Sequence, residues 1–238
     1  MKIFGKALRW LGFATAALVA AVVLVVVLYQ VWIFGHIWWW KSHNPASTAF
    51  MESRLEGLRE KNPQAALKHQ WVEYEKISPY LKRALIVSED DTFVDHEGFN
   101  WEAMQKALEK NQKKGKVVAG GSTISQQLAK NLFLSGSRSL LRKGEEAIIT
   151  LMLEALLDKQ RIFEIYLNVI EWGDGVFGAE AAARHYYGIS AARLSAEQAA
   201  KLAAMAPRPR FYDRNRNAPW LLKKTSIILM RMQSAEVP

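Results

Sequence analysis

Cysteine is absent from the chain, so neither a disulfide nor a thiolate, whether as nucleophile or as metal ligand, enters its chemistry. An exported domain with a large enough core can do without disulfides, so this absence leaves the compartment open. Metal-ligand spacing is missing as well: the five histidines stand at 36, 43, 69, 96 and 185. His96-Glu-Gly98 starts like a zinc-protease helix, but Asn100 occupies the place of the second histidine. No alternating strand of useful length and no internal repeat is visible, which argues against an all-β or solenoid fold. Acid is scarce beside base, with 23 Asp and Glu against 32 Lys and Arg and a formal net charge of +9.

Charge is also missing locally. Between Arg9 and Lys41 there is no Lys, Arg, Asp or Glu, and Ala14 to Val31 is nearly all Ala, Val, Leu and Ile. Roughly 20 apolar residues cross a bilayer, and this run is longer. A cleaved signal peptide has a shorter apolar core of about 7–15 residues. Here Trp32 and Trp38 to Trp40 close the run as an interfacial aromatic belt. Ala46-Ser-Thr-Ala49 has small residues suited to cleavage but lies far beyond the core, so the span is read as a retained anchor. Lys2, Lys6 and Arg9 precede it and Lys41 alone follows closely, which keeps the N-terminus cytoplasmic and exports the remainder. On that side anionic lipid headgroups and lipid diphosphates, not nucleic acid, are the partners a basic domain meets.

The expected organisation is a cytoplasmic N-terminus at 1–9, a transmembrane anchor at 10–35, a polar tether at 36–70 and a mainly α domain at 71–238. Ser78-Pro79 reads as a cap and first helical position, followed by Leu81, Ala84, Leu85 and Val87 at helical spacing up to Glu89. Phe99 to Lys114 reads as a helix with Trp101, Met104 and Leu108 on one stripe. The next helix starts at Ser122 or Thr123 and runs to about Leu134, where Ser135-Gly-Ser137 breaks it. From about Leu140 to Lys159 a long helix is expected, with Ile148, Leu151, Met152 and Ala155 inward. Arg161 to Ile170 continues helically, and Glu171 to Gly178 reads as a loop with glycines.

Three stretches hold residue types suited to chemistry. Glu89 ends an apolar helix, where partial desolvation raises a carboxyl group toward the working pH of a general base. The alternative is a solvated acidic run Glu89-Asp90-Asp91, disfavoured by the helix dipole. Gly120-Gly121-Ser122-Thr123 before a helix reads either as an anion or sugar-hydroxyl site, with Gln126 and Gln127 beside it, or as a linker and cap. It lacks the spacing of a nucleotide P-loop. Lys130, Arg138, Arg142 and Lys143 follow with no acid among them until Glu145 and Glu146. An isolated Lys143–Glu146 pair would be an ordinary helix-surface ion pair worth under about 1 kcal/mol. Grouped cations beside a Gly-rich turn look instead like a diphosphate clamp.

These residues resemble the peptidoglycan glycosyltransferases, in the monofunctional biosynthetic form of Gram-negative bacteria. The resemblance covers about residues 72–212 through five ordered motifs. They are Glu89-Asp-x-x-Phe-x-x-His96-x-Gly, Gly120-Gly-Ser-Thr-Ile-x-Gln-Gln-Leu-x-Lys130-Asn, Arg142-Lys-x-x-Glu146, Tyr166-Leu-Asn-x-Ile-x-x-Gly-x-Gly-x-x-Gly178, and the Leu194-x-x-x-Gln-Ala-Ala-x-Leu-Ala-Ala stretch. It implies a lysozyme-like α-helical fold with a small membrane-associated subdomain, to which Leu132-Phe133-Leu134 and Leu140-Leu141 would contribute. It implies Glu89 as catalytic base and Glu146 as the second essential carboxylate. Lys130, Arg138, Arg142 and Lys143 would surround the donor diphosphate. Ser122, Gln126 and Gln127 would line the sugar cleft, with His96 included among the binding residues or bracing the turn after Glu89.

The implied activity is polymerisation of lipid II into β-1,4-linked glycan strands at the inner membrane, with inversion and release of polyprenyl diphosphate. Its implied partners are lipid II, the growing strand, the membrane and candidate proteins of cell-wall synthesis or division. No cofactor is required, and magnesium is the one divalent ion left open. Asn100, Ser125 and Gln198 depart from the usual Asp, Thr and Glu, touching fine geometry. No Ser-x-x-Lys occurs, and Lys224-Thr225 is followed by Ser226, so peptide cross-linking is not expected. A glycan-cleaving relative with the same fold is the competing reading, but it has no use for a cation row.

Overall fold

A computed structural model describes residues 2–116, 120–134 and 139–238. The expected helix break at Ser135-Gly-Ser137, and Arg138 with it, lie outside the described residues. The chain opens with α1 (Lys2–Trp39), one uninterrupted helix. Within its stretch Gly12–Trp39 an 18-residue window reaches a mean hydropathy of 2.7, and the stretch is long and apolar enough to cross a membrane. Valines and leucines along its shaft are exposed on all sides, whereas Ile33, Ile37 and Trp40 at its far end are buried in the domain core.

Residues 36–70, expected as a tether, therefore fold with the domain. Thr48 caps α2 (Ala49–Arg59) by accepting from Met51 N, and Met51 is buried. Arg54 then reaches Glu171 at 3.0 Å and pairs with Asp174. The strand β1 (Lys68–His69) joins the same region from the other side. A polar composition hid this, because the apolar stripe of α2 (Met51, Leu55, Leu58) is short and set among charged residues, with Phe50 beside it meeting the Phe177 ring.

The domain continues with α3 (Pro79–Glu89), α4 (Trp101–Lys114), α5 (Ile124–Phe133), α6 (Leu140–Leu156) and α7 (Lys159–Val169). Next come β2 (Glu171–Gly173), β3 (Val176–Phe177), α8 (Ala179–Tyr187), α9 (Ala196–Met205), α10 (Pro209–Arg214) and α11 (Pro219–Arg231). The fold is mainly helical, as the periodicity predicts. The loop expected at 171–178 is instead a hairpin, with β3 between β2, antiparallel, and β1, parallel. Strands this short carry no alternation for a sequence reading to detect.

At the centre lies α7, with Ile162, Phe163 and every residue from Ile165 to Val169 buried. Its Asn168 is satisfied by Val72, whose N–H donates to Oδ1 and whose carbonyl accepts from Nδ2, both at 2.9 Å. Around it α5 packs on α6 and α7, while α9 packs on α3 and α11.

Two inner faces differ from expectation. On α6 the buried residues are Glu146, Ile149, Thr150 and Leu153, while Ile148 and Leu151 are 46% and 57% exposed. On α4 Ala107 is buried, whereas Trp101 and Leu108 stand outside. Both helices are apolar on an exposed side, so the apolar stripe alone does not identify the core face. Of the apolar surface expected around the α5–α6 connection, Leu132 and Leu134 are buried, but Leu140 and Leu141 are almost fully exposed.

Candidate active site

Ser78 caps α3 and Pro79 takes its first position, so the helix runs from a defined start to Glu89. Beyond it the chain turns sharply, and Asp90 is buried. One Asp90 carboxylate oxygen accepts from Ile124 N at 2.9 Å, and His96 Nε2 lies 3.0 and 3.1 Å from the two oxygens. His96 thus braces the turn after Glu89 and is bound to Asp90. Gly98 closes the same motif with φ +85°, and a Cβ there would stand 2.8 Å from Thr150 Cγ2 on α6. Its carbonyl accepts from Thr123 Oγ1 at 2.7 Å, which locks the first motif to the second.

At Gly121 an added Cβ would meet the Met104 backbone at 2.8 Å, so glycine is what lets this segment lie against α4. Thr123 and Gln126 form a capping box, with Gln126 N donating to Thr123 Oγ1 and Thr123 N donating to Gln126 Oε1. The N–H groups of Thr123, Ile124 and Gln126 are therefore taken by protein partners. Of the two readings of this segment, the cap is the one the geometry displays for Thr123 and Gln126. Gln126 is buried in that role. Ser122 instead faces a cavity of about 150 Å³ that it shares with Glu89, Gly120 and Gly121.

The Glu89 side chain is only 10% exposed. Burial pushes its pKa up, and Lys224, Gln127 and Ser88 pull against that push. Gln127 Nε2 donates to Glu89 Oε2 at 3.1 Å, and Gln127 Oε1 accepts from the Tyr166 hydroxyl at 3.1 Å. Lys224 Nζ on α11 lies 3.8 Å from Glu89 Oε1, and burial lowers its pKa while Glu89 raises it.

On the other side of Gln127 a second cavity of about 680 Å³ opens, lined by Lys130, Arg142 and Tyr166 among others. Glu146 is buried and holds two cations: Lys143 Nζ bonds one oxygen, and Arg142 Nη1 stands 3.4 Å from the other. With the acid buried, this is not an ordinary surface pair, and losing one partner would strand a charge. Lys143 Nζ also lies 3.4 Å from Ser122 Oγ, joining the cation row to the Gly-rich turn. Burial lowers the pKa of Lys130, while Glu146 and Glu89 both raise it. One lysine thus senses both carboxylates, and Gln127 stands between the cavity that Glu89 lines and the one that Lys130 and Arg142 line.

Glu89, Ser122, Gln127, Lys130, Arg142, Lys143 and Glu146 come together here, while His96 and Gln126 stand behind them as supports. Sequence grounds assign no role to Tyr166 or Lys224. Tyr166 belongs to a quoted motif, but Lys224 sits in a Lys-Lys pair far along the chain, where no spacing relates it to Glu89. Among the described residues no group of three or more His, Cys, Asp or Glu is arranged to hold a metal ion.

Comparison with known proteins adds an independent line. A family model described as transglycosylase matches residues 56–233. A protein of Janthinobacterium sp. (strain Marseille) is 61% identical over 238 residues, covering all of both chains. One from Methylobacillus flagellatus is 64% identical over 98% of this chain and 99% of its own length. A third, from Nitrosospira multiformis, is 65% identical over 91% and 94% respectively. Each of these relatives is named biosynthetic peptidoglycan transglycosylase.

Proposed function

The chain belongs to the transglycosylase family, and from that premise we propose that it polymerises lipid II into β-1,4-linked glycan strands and releases polyprenyl diphosphate. The observation that carries this reading is the placing of a buried Glu89 next to the Lys130–Arg142–Lys143 row, with Gln127 bonded to Glu89 and lining the cavity of Lys130 and Arg142. The acceptor is a sugar hydroxyl, a poor nucleophile until its proton is taken. Glu89, its pKa raised by burial, is the base for that proton as the new bond forms. The leaving group is a diphosphate, already a weak base, which calls for charge neutralisation and not for a strong acid. Lys130, Arg142 and Lys143 provide it, and Glu146 holds the last two in place. Arg138 joins this set by the family resemblance alone. Direct displacement inverts the donor linkage. The chemistry uses the chain's own cations and calls for no cofactor.

Gln127, supported by Tyr166, bonds one Glu89 oxygen and so orients the base toward the acceptor hydroxyl. Ser122 is placed to meet sugar polar groups beside it, and His96 serves the site through Asp90. The exposed apolar residues Leu140, Leu141, Ile148 and Leu151 on α6 suit contact with lipid acyl chains near α1. The chain is thereby read as a single-pass inner-membrane protein with a periplasmic catalytic domain. The flanking charges Lys2, Lys6 and Arg9 set that orientation.

The test supplies purified full-length protein in detergent with labelled lipid-linked disaccharide-peptide. Polymer is expected, and Glu89→Gln lowers its rate by about 10²–10⁴-fold while substrate still binds. Near-normal turnover in that variant removes Glu89 from the base role. Fragments released from finished wall glycan, with no polymer from the lipid precursor, would establish the cleaving reaction instead.

A further inference from the structure

The larger cavity carries more positive charge than one leaving diphosphate requires. Its charged lining comprises Lys130 and Arg142 toward α5 and α6, Arg208 and Arg210 at the start of α10, and Glu171 as the one acid. Arg142 is matched by Glu146, and Glu171 is held at 3.0 Å by Arg54 from behind the wall. Arg210 reaches Glu171 only at 3.5 Å, with half of its side chain exposed. Arg208 makes no ion pair among the described residues, and its guanidinium lies 4.7 Å from the centre of the Phe211 ring. Pro207 and Pro209 flank it, so its backbone is held with little freedom to lose on binding. A guanidinium without an acid partner, resting on the Phe211 ring at the wall of a polar cleft, is equipped for an oxyanion.

We propose that Arg208 and Arg210 form a second anion-binding subsite, on the α10 wall of the cleft, for an anionic group of the substrates other than the departing diphosphate. The inference rests on the function proposed above. Polymerisation joins two lipid-linked units, and only one diphosphate leaves. Two oxyanions remain to be held: the diphosphate of the unit that stays on its lipid, and the carboxylates of the peptides on the sugars. Both match a guanidinium fork, and the experiment separates them.

Steady-state polymerisation by full-length protein in detergent is measured with lipid-linked disaccharide bearing its peptide and with the same precursor lacking it. Arg208→Gln is expected to raise KM about tenfold on the complete precursor with kcat nearly unchanged, and Arg208→Lys to recover most of that loss. A KM effect confined to the peptide-bearing precursor assigns the subsite to peptide carboxylates. An equal effect on both precursors, with Arg208→Lys rescue and an unchanged thermal midpoint, assigns it to the retained diphosphate. Unchanged KM on both, a fall in kcat alone, or a loss that Arg208→Lys fails to restore overturns the proposal. A wild-type protein that makes no polymer would instead sink the function itself. An active wild type with an indifferent Arg208→Gln sinks only this subsite.

Discussion

Glu89 is where a single side chain decides the most. Its burial disfavours the charged form, and Lys224 at 3.8 Å favours it, with burial the stronger of the two. The base role proposed for Glu89 requires the ionised form, so activity is expected to fall as pH drops through its raised pKa. The acid limb of kcat/KM is therefore expected above the ordinary carboxylate range of about 4.3. Lys224→Met removes the cation that stabilises the ionised form, so that limb moves to still higher pH. A pH profile of the variant matching wild type would show that Lys224 does not tune the base. Around this centre the polar supports are already committed: Gln127 to Glu89 and Tyr166, Asp90 to His96 and the start of α5. Such supports hold the site at fixed geometry, so each of their losses is expected to be read as misplacement of Glu89.

Among the elements, α6 is the most informative because both of its sides are apolar. Its phase is set by Glu146, buried four residues after Arg142 and three after Lys143 and paired with both. Ile149, Thr150 and Leu153 then follow inward by helical periodicity, leaving Ile148 and Leu151 outside. Leu153→Ala is expected to cost about 2–5 kcal/mol of stability, as for a fully buried leucine. Leu151→Ser is expected to change stability in detergent by less than about 0.5 kcal/mol. Chemical denaturation of the two variants checks this, and equal losses would mean that the helix is turned the other way.

For the whole molecule, the anchor is a built-in part of the domain. Helix α1 delivers Ile33, Ile37 and Trp40 into the core, and Trp32 and Trp40 both meet the Phe133 ring. Arg161 closes the exit by donating to the Trp40 and His43 carbonyls at 2.8 and 2.6 Å. A cleft held in this way keeps a fixed height and tilt relative to the span, which suits substrates that stay in the membrane. Ile37→Ala is expected to lose about 2–5 kcal/mol. Val23→Ala on the exposed shaft is expected to leave the thermal midpoint in detergent almost unmoved. Similar midpoints for both would mean that the end of α1 is not part of the domain core.

The sequence by itself determined the helical class, the long apolar helix at the N-terminus, and most of the residues that the candidate site brings together. These reside in local patterns: a charge-free run, caps, and carboxylates and cations at short fixed spacings. Tertiary structure alone decided which side of α4 and α6 is core, because an apolar face turned outward has the same periodicity as one turned inward. It also decided that residues 36–70 fold onto the domain through Arg54, Glu171 and β1. Lys224 beside Glu89, and Arg208 and Arg210 across from Lys130, depend on helices far apart in the chain. Contacts between distant segments leave no periodic trace, since they follow from how the helices pack and not from any spacing along one of them.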